Sequence, residues 1–180
     1  MKNKNIVIIF VILALVITAI SIRTSINKRK VYSEYNNRIV KVHRIIDDTI
    51  LRISKAYNSD DISNKNQIDI TNSIKNIYSK MSTITSTMSS PVDNYTEKIW
   101  ELLNNKLYPE IVALYDITLD KYDEKTLDSK YTKDILNLLE NLNNYFVVEG
   151  NENNVKLGDE QINKLVNSIN ELKVFLSKFR

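Results

Sequence analysis

Apolar side chains recur at steps of three and four residues from Tyr32 to Phe179, interrupted only by short polar stretches, and that period belongs to helices. Sheet has little room here. Two glycines and two prolines punctuate the whole chain, too few for the turns that sandwiches and barrels need. The expected class is all-α. Because the spacing alternates between three and four over several heptads, and the connections are short, the sequence predicts an antiparallel, coiled-coil-like bundle of four to five helices.

Ahead of the bundle stands a different pattern. Residues 6–22, IVIIFVILALVITAISI, are apolar apart from Thr18 and Ser21, with Lys2 and Lys4 before them and Arg23, Lys28, Arg29 and Lys30 after. A helix crossing the hydrocarbon core needs roughly 17–25 predominantly apolar residues, so the run is expected to be a single transmembrane signal-anchor. Cleavage near Ser21, at Ala19-Ile20-Ser21, is the alternative, which would release the rest of the chain as a secreted domain. The run is long for an export signal and a basic cluster follows it, which favours retention. With no cysteine in the chain, a lipid-modified cysteine cannot be the anchor. Counting Lys and Arg on each side of the run places the C-terminal part in the cytoplasm. A short basic start before an apolar run is, however, the layout of an export signal, and long domains translocate largely regardless of charge. An extracytoplasmic domain is the expectation, and a cytoplasmic one the alternative. Lys28-Arg29-Lys30 would meet anionic headgroups in either orientation.

Residues 1–30 therefore form the basic start, anchor and juxtamembrane segment, and residues 31–180 the bundle, with 31–57 as a stalk-like first helix. Its stripe is Tyr32, Tyr35, Ile39, Val42, Ile46, Ile50, Ile53 and Tyr57. A polar loop is expected over residues 58–67, then a helix carrying Ile70, Ile74, Ile77, Met81, Ile84 and Met88. Ser90 and Pro91 should cap and open the third helix, with Asp93 in its first turn; Pro109 should kink or split it. Leu127 to Phe146 carries the fourth stripe, which Gly150 is placed to end, and Asp159 should cap a fifth helix running to Phe179.

No constellation points to chemistry. His43 is the only histidine, with Asp47 one turn on, and a di-iron bundle needs two Glu-x-x-His motifs, so a surface ion pair is the plainer expectation. Asp116, Asp120, Asp123, Glu124 and Asp128 lack the register of a calcium loop. Asp93, Glu97 and Glu101 share a helix face with Lys98 and Lys106 nearby, as exposed faces do. Most of the ten tyrosines, and Trp100, fall on or beside apolar stripes and are expected at the core or its rim. Glycine-rich phosphate loops, nucleophile elbows and zinc-binding His pairs are missing, so neither catalytic, metal nor cofactor residues are assigned.

Charge excludes a nucleic-acid partner. Six of the 25 basic residues lie in residues 1–30, which leaves 19 against 22 acids in the bundle. Abundant Ile, Asn, Lys and Tyr suggest AT-rich bacterial codons. One apolar run followed by long amphipathic helices resembles, in topology alone, the sensor half of bacterial chemoreceptors, whose outside domain is a four-helix bundle, and also LemA-type membrane proteins. The functional expectation is a single-pass, membrane-anchored, non-catalytic helical protein. Its partners would be the bilayer, through residues 6–22, and a protein or a second copy. A small-ligand sensor with a cleft near Pro109 is the alternative.

Overall fold

The computed structural model describes residues 2–57, 64–146 and 157–180, with backbone only for residues 2–11 and 64. The expected ends of two connections, including Gly150, lie outside the described residues. Six α-helices and one π-helical turn make up the described chain: α1 Lys2–Tyr57, α2 Asn64–Ser86, α3 Asn94–Glu101, the π turn Leu102–Leu107, α4 Tyr108–Asp123, α5 Ser129–Tyr145 and α6 Asp159–Leu176. The all-helical bundle is as the stripes predict. Helix α2 begins at Asn64, inside the loop expected over 58–67, and residues 58–63 of that loop lie outside the described residues.

Helix α1 is one unbroken rod of 56 residues, which at 1.5 Å per residue is about 84 Å long. Neither glycine nor proline occurs in it, so nothing in its sequence marks a hinge. Beyond residue 30 it enters the bundle, burying Tyr35, Ile39, Val42, Ile46 and Ile53. Residues 12–30 are all exposed, Ile12, Leu13, Leu15, Val16, Ile17, Ile20, Ile22 and Ile26 among them. Among the described residues, no helix is long and apolar enough to cross a membrane. The first part of the 6–22 run, residues 6–11, lies outside the residues whose side chains are described.

Five rods close into a ring, since α3, the π turn and α4 run on as one. Successive rods pack in the order α1, α2, α3–α4, α6, α5 and back to α1, and α3 touches α1 as well. The sequence predicts antiparallel neighbours throughout, and the ring departs from this at one seam. Rods that alternate in direction along the chain cannot alternate around a ring of five, so one adjacent pair must run parallel. That pair is α4 with α6. Lys98 meets Asp159 at one end of the seam, and Lys121 lies over Phe179 at the other. The core they enclose is Ile, Leu and Met almost throughout, with Tyr35, Tyr131 and Phe146 as its aromatic members.

Pro109 neither splits nor sharply ends the third rod. Lacking an N–H and crowding the carbonyl four residues back, proline breaks an α-helical ladder. Here the ladder widens just before it, and the Tyr108 N–H bonds the Leu103 carbonyl five residues back. Leu102, Leu103 and Leu107 of the π turn are all buried.

Three helix starts differ from expectation by one to three residues. Asp93, not Ser90, caps α3, because its carboxylate accepts the Thr96 N–H while Thr96 Oγ1 accepts the Asp93 N–H. Asp128 caps α5 through the Tyr131 N–H, which leaves Leu127 buried in the connection. Gly158 occupies the cap position of α6, and its N–H donates to Gln161 Oε1.

Helix α4 ends in a Schellman turn: Thr126 N–H bonds the Lys121 carbonyl and Lys125 N–H the Tyr122 carbonyl. Lys125 pays for that turn with a φ of 58°, where a Cβ is strained. Lys125→Gly should therefore raise stability by about 0.5–1 kcal/mol, the relief of strain exceeding the added freedom of the unfolded chain. Urea unfolding at pH 7 checks this.

Candidate functional site

The densest polar network among the described residues joins α1 to the connection between α2 and α3, where the bundle starts above the basic cluster Lys28-Arg29-Lys30. Residues 87–93 form no regular structure, and at their start the Met88 N–H reaches back to the Thr85 carbonyl of α2 at 3.4 Å. Side chains of α1 supply the partners instead. Tyr35 donates its hydroxyl to the Ser89 carbonyl at 2.7 Å, and Glu34 accepts both the Ser89 N–H at 2.9 Å and its Oγ at 2.6 Å. Arg38 donates to the Thr87 carbonyl at 3.0 Å and pairs with Glu34 one turn back. Tyr32 donates to the Asp93 carboxylate, stacks on Tyr95 with centroids 5.8 Å apart, and Tyr95 donates to Asn36. Spacing puts Tyr32, Tyr35, Asn36 and the Glu34–Arg38 pair within two turns of α1, so one short stretch clasps the corner.

The electrostatics fit this role. Burial pushes the Glu34 carboxyl up, but the Ser89 hydroxyl and N–H and the Arg38 guanidinium together outweigh it and hold the group below the usual carboxylate range. Asp93 is held low chiefly by the Thr96 N–H, with Thr96 Oγ1 and the charge of Lys28 adding to it. Tyr35 is pushed up to about 12 by burial and by the neighbouring Glu34 charge. A charged pair of acids and neutral tyrosines is thus the resting state at pH 7. These are groups tuned to hold a corner, and none is a base near neutral pH.

His43 and Asp47 do not pair with each other. Asn143 of α5 stands between them, its Oδ1 2.8 Å from His43 Nδ1 and its Nδ2 donating to Asp47 Oδ1 at 3.3 Å. The chain of bonds stitches α1 to α5, a tertiary role that spacing within α1 alone cannot show. Asp116, Asp120, Asp123, Glu124 and Asp128 are exposed and spread over the end of α4 and its connection. Among the described residues, no three His, Cys, Asp or Glu gather as a metal site would require. Of Asp93, Glu97 and Glu101, the first is the α3 cap and the other two face solvent.

Tyr35 and Tyr131 are core residues; Tyr32, Tyr57, Tyr95 and Tyr115 lie half-buried at its rim, as does Trp100. Tyr78 stacks on Tyr108 and Tyr115 across the α2–α4 seam. Near Pro109 the π turn borders an open groove of about 410 Å³, lined by Lys98, Leu102, Lys106, Asp159 and Val166, without Pro109 itself. Lys98 and Asp159 pair across it at 2.8 Å. The sequence gives no local sign of the roles of Thr87 and Ser89, because their partners sit 49 to 55 positions away. The Glu34–Arg38 spacing and the Asp93-x-x-Thr96 box were the local signals available.

Glu34 and Asp93 have depressed folded-state pKa values, so the stability they contribute is present above the ordinary carboxylate range and disappears as pH falls through the depressed values. The melting temperature should hold between pH 7 and 5 and fall below about pH 4. Glu34→Gln combined with Asp93→Asn should lower it at pH 7 and flatten the acid limb, which a pH series of thermal melts reads directly.

Searches against protein-family models, curated proteins and solved structures find no match to this chain.

Proposed function

We propose that this chain is a single-pass, membrane-anchored, non-catalytic helical protein that presents its bundle outside the cytoplasm as an interaction or structural component. One observation carries the proposal: α1 continues from the bundle core into the apolar run, and the large apolar side chains from Ile12, inside the run, to Ile26, just past it, are covered by no described residue. Exposed apolar surface on that scale marks contact with a membrane or with another protein. Within it, Thr18 and Thr24 return their hydroxyls to carbonyls one turn back, at 2.8 and 2.9 Å, which removes the polar groups that would resist a hydrocarbon environment. The basic cluster then falls between the run and the clasp, at the level where headgroups would lie.

In this arrangement the clasp has a mechanical meaning. Tyr32, Glu34, Tyr35 and Arg38 hold the bundle to α1 from its first turn, so the bundle stands on the anchor without a flexible linker. Presentation at a fixed height suits a partner on or near the same surface. A domain facing the cytoplasm would use the same geometry, and orientation is the part an experiment has to decide.

Because the chain has no cysteine, a single Asn141→Cys on the exposed face of α5 gives one addressable thiol. Expressed in bacterial cells, the protein should sediment with membranes, resist high salt and alkaline carbonate, and require detergent for release. An impermeant maleimide should label it before lysis. Recovery in the soluble fraction would refute the anchor, and labelling only after lysis would reverse the orientation.

A further inference from the structure

Glu110 is the one charged residue buried among the described residues, with a side chain 8% exposed. Its Oε2 is also the one buried side-chain oxygen there that has no hydrogen bond. A carboxylate so placed is unfavourable unless a cation stands by it. Arg180 supplies the cation: its Nη2 lies 3.6 Å from Oε2, an ionic contact longer than a hydrogen bond, from a side chain half in water.

The residues that bring Arg180 there fold back over the end of the parallel α4–α6 seam. Ser177, Lys178 and Phe179 each return an N–H to a carbonyl three or four residues earlier, at 2.9, 3.2 and 3.0 Å. Phe179 sets its ring against Tyr131 and Phe175, with centroids 5.3 and 5.2 Å away, and Lys121 Nζ lies 4.5 Å from it on α4. Phe179 nevertheless stays 41% exposed. Beyond these local bonds, which keep the segment turned, the four residues are held to the seam by one ionic contact, two edge-to-face ring pairs and a cation above a ring, each modest alone. The buried carboxylate is what makes the contact consequential.

We propose that residues 177–180 are a releasable strap, in which Arg180 neutralises Glu110 across the α4–α6 seam and whose release opens that end of the seam to water. Closure of the strap and burial of the carboxylate depend on one another. Release leaves the Glu110 carboxylate without its cation and frees the rings of Tyr131 and Phe175 from Phe179.

Hydrogen exchange read by mass spectrometry on the full chain in detergent micelles tests this. Arg180→Ala should speed exchange at least tenfold in residues 177–179 and in the segments 110–121 and 172–176, with α2 unchanged. Combining Arg180→Ala with Glu110→Gln removes the buried charge, so 110–121 and 172–176 should return to within twofold of wild type while 177–179 remain fast. The proposal is overturned if Arg180→Ala leaves all three segments within twofold of wild type. It is equally overturned if α1 and α2 loosen alongside them, or if the added Glu110→Gln restores nothing, since the contact would then be an ordinary part of the core.

Discussion

Everything in this structure depends on a single continuous backbone ladder, that of α1. Its i→i−4 bonds run from residue 2 to Tyr57 with no glycine or proline to interrupt them, so the apolar run and the first core stripe share one rigid axis. Isolated helices of such length owe little to propensity; tertiary burial holds them. Here burial supports only the half beyond residue 30, where Tyr35, Ile39, Val42, Ile46 and Ile53 have no exposure at all. In the other half, residues 12–30 are all exposed, the large apolar side chains from Ile12 to Ile26 among them, and no described residue covers them.

The bundle's geometry follows from counting rods. Five rods in a ring force one parallel seam, and in this protein polar contacts mark it along its length: Lys98 with Asp159 at the start, Glu110 with Arg180 farther on, and Lys121 over Phe179 toward the end of α4. The opposite seam, between α1 and α2, is antiparallel and closed at its base by the clasp. The π turn lets α3 and α4 remain one rod across Pro109, so that the same element can form the clasp corner at one end and receive the strap at the other. Interruption of the rod at Pro109 would have separated these two ends.

Rods and faces were legible in the sequence because periodicity is a local property. The stripe residues from Ile70 to Ile84 are buried as their spacing predicts, and so are most of those from Leu127 to Leu176, with Leu138 and Val166 half-buried at the rim and Phe179 exposed. Caps were harder. Ser90-Pro91 has the composition of a helix start, yet the backbone around Ser89 is taken up by Glu34 and Tyr35, and the reciprocal Asp93–Thr96 pair starts the helix three residues later. Partners across the ring were not legible at all. Nothing near His43 points to Asn143, a hundred positions away, and nothing near Arg180 points to Glu110. Glu110 does carry one overlooked signal: it falls on the stripe Leu103, Leu107, Leu114, at steps of four, three and four, where a charge is out of place.

The central claim is that the apolar run and the bundle form one rigid rod-and-bundle body, and a distance across their junction tests it most directly. Ser25→Cys with Leu51→Cys puts two exposed thiols on α1, one on each side of residue 30, in a chain without other cysteines. Spin labels there, measured by pulsed dipolar resonance in lipid nanodiscs, should give one narrow distribution near the about 39 Å that 26 helical residues span. A broad distribution, or one centred well below that length, would mean a hinge between run and bundle and would contradict the account.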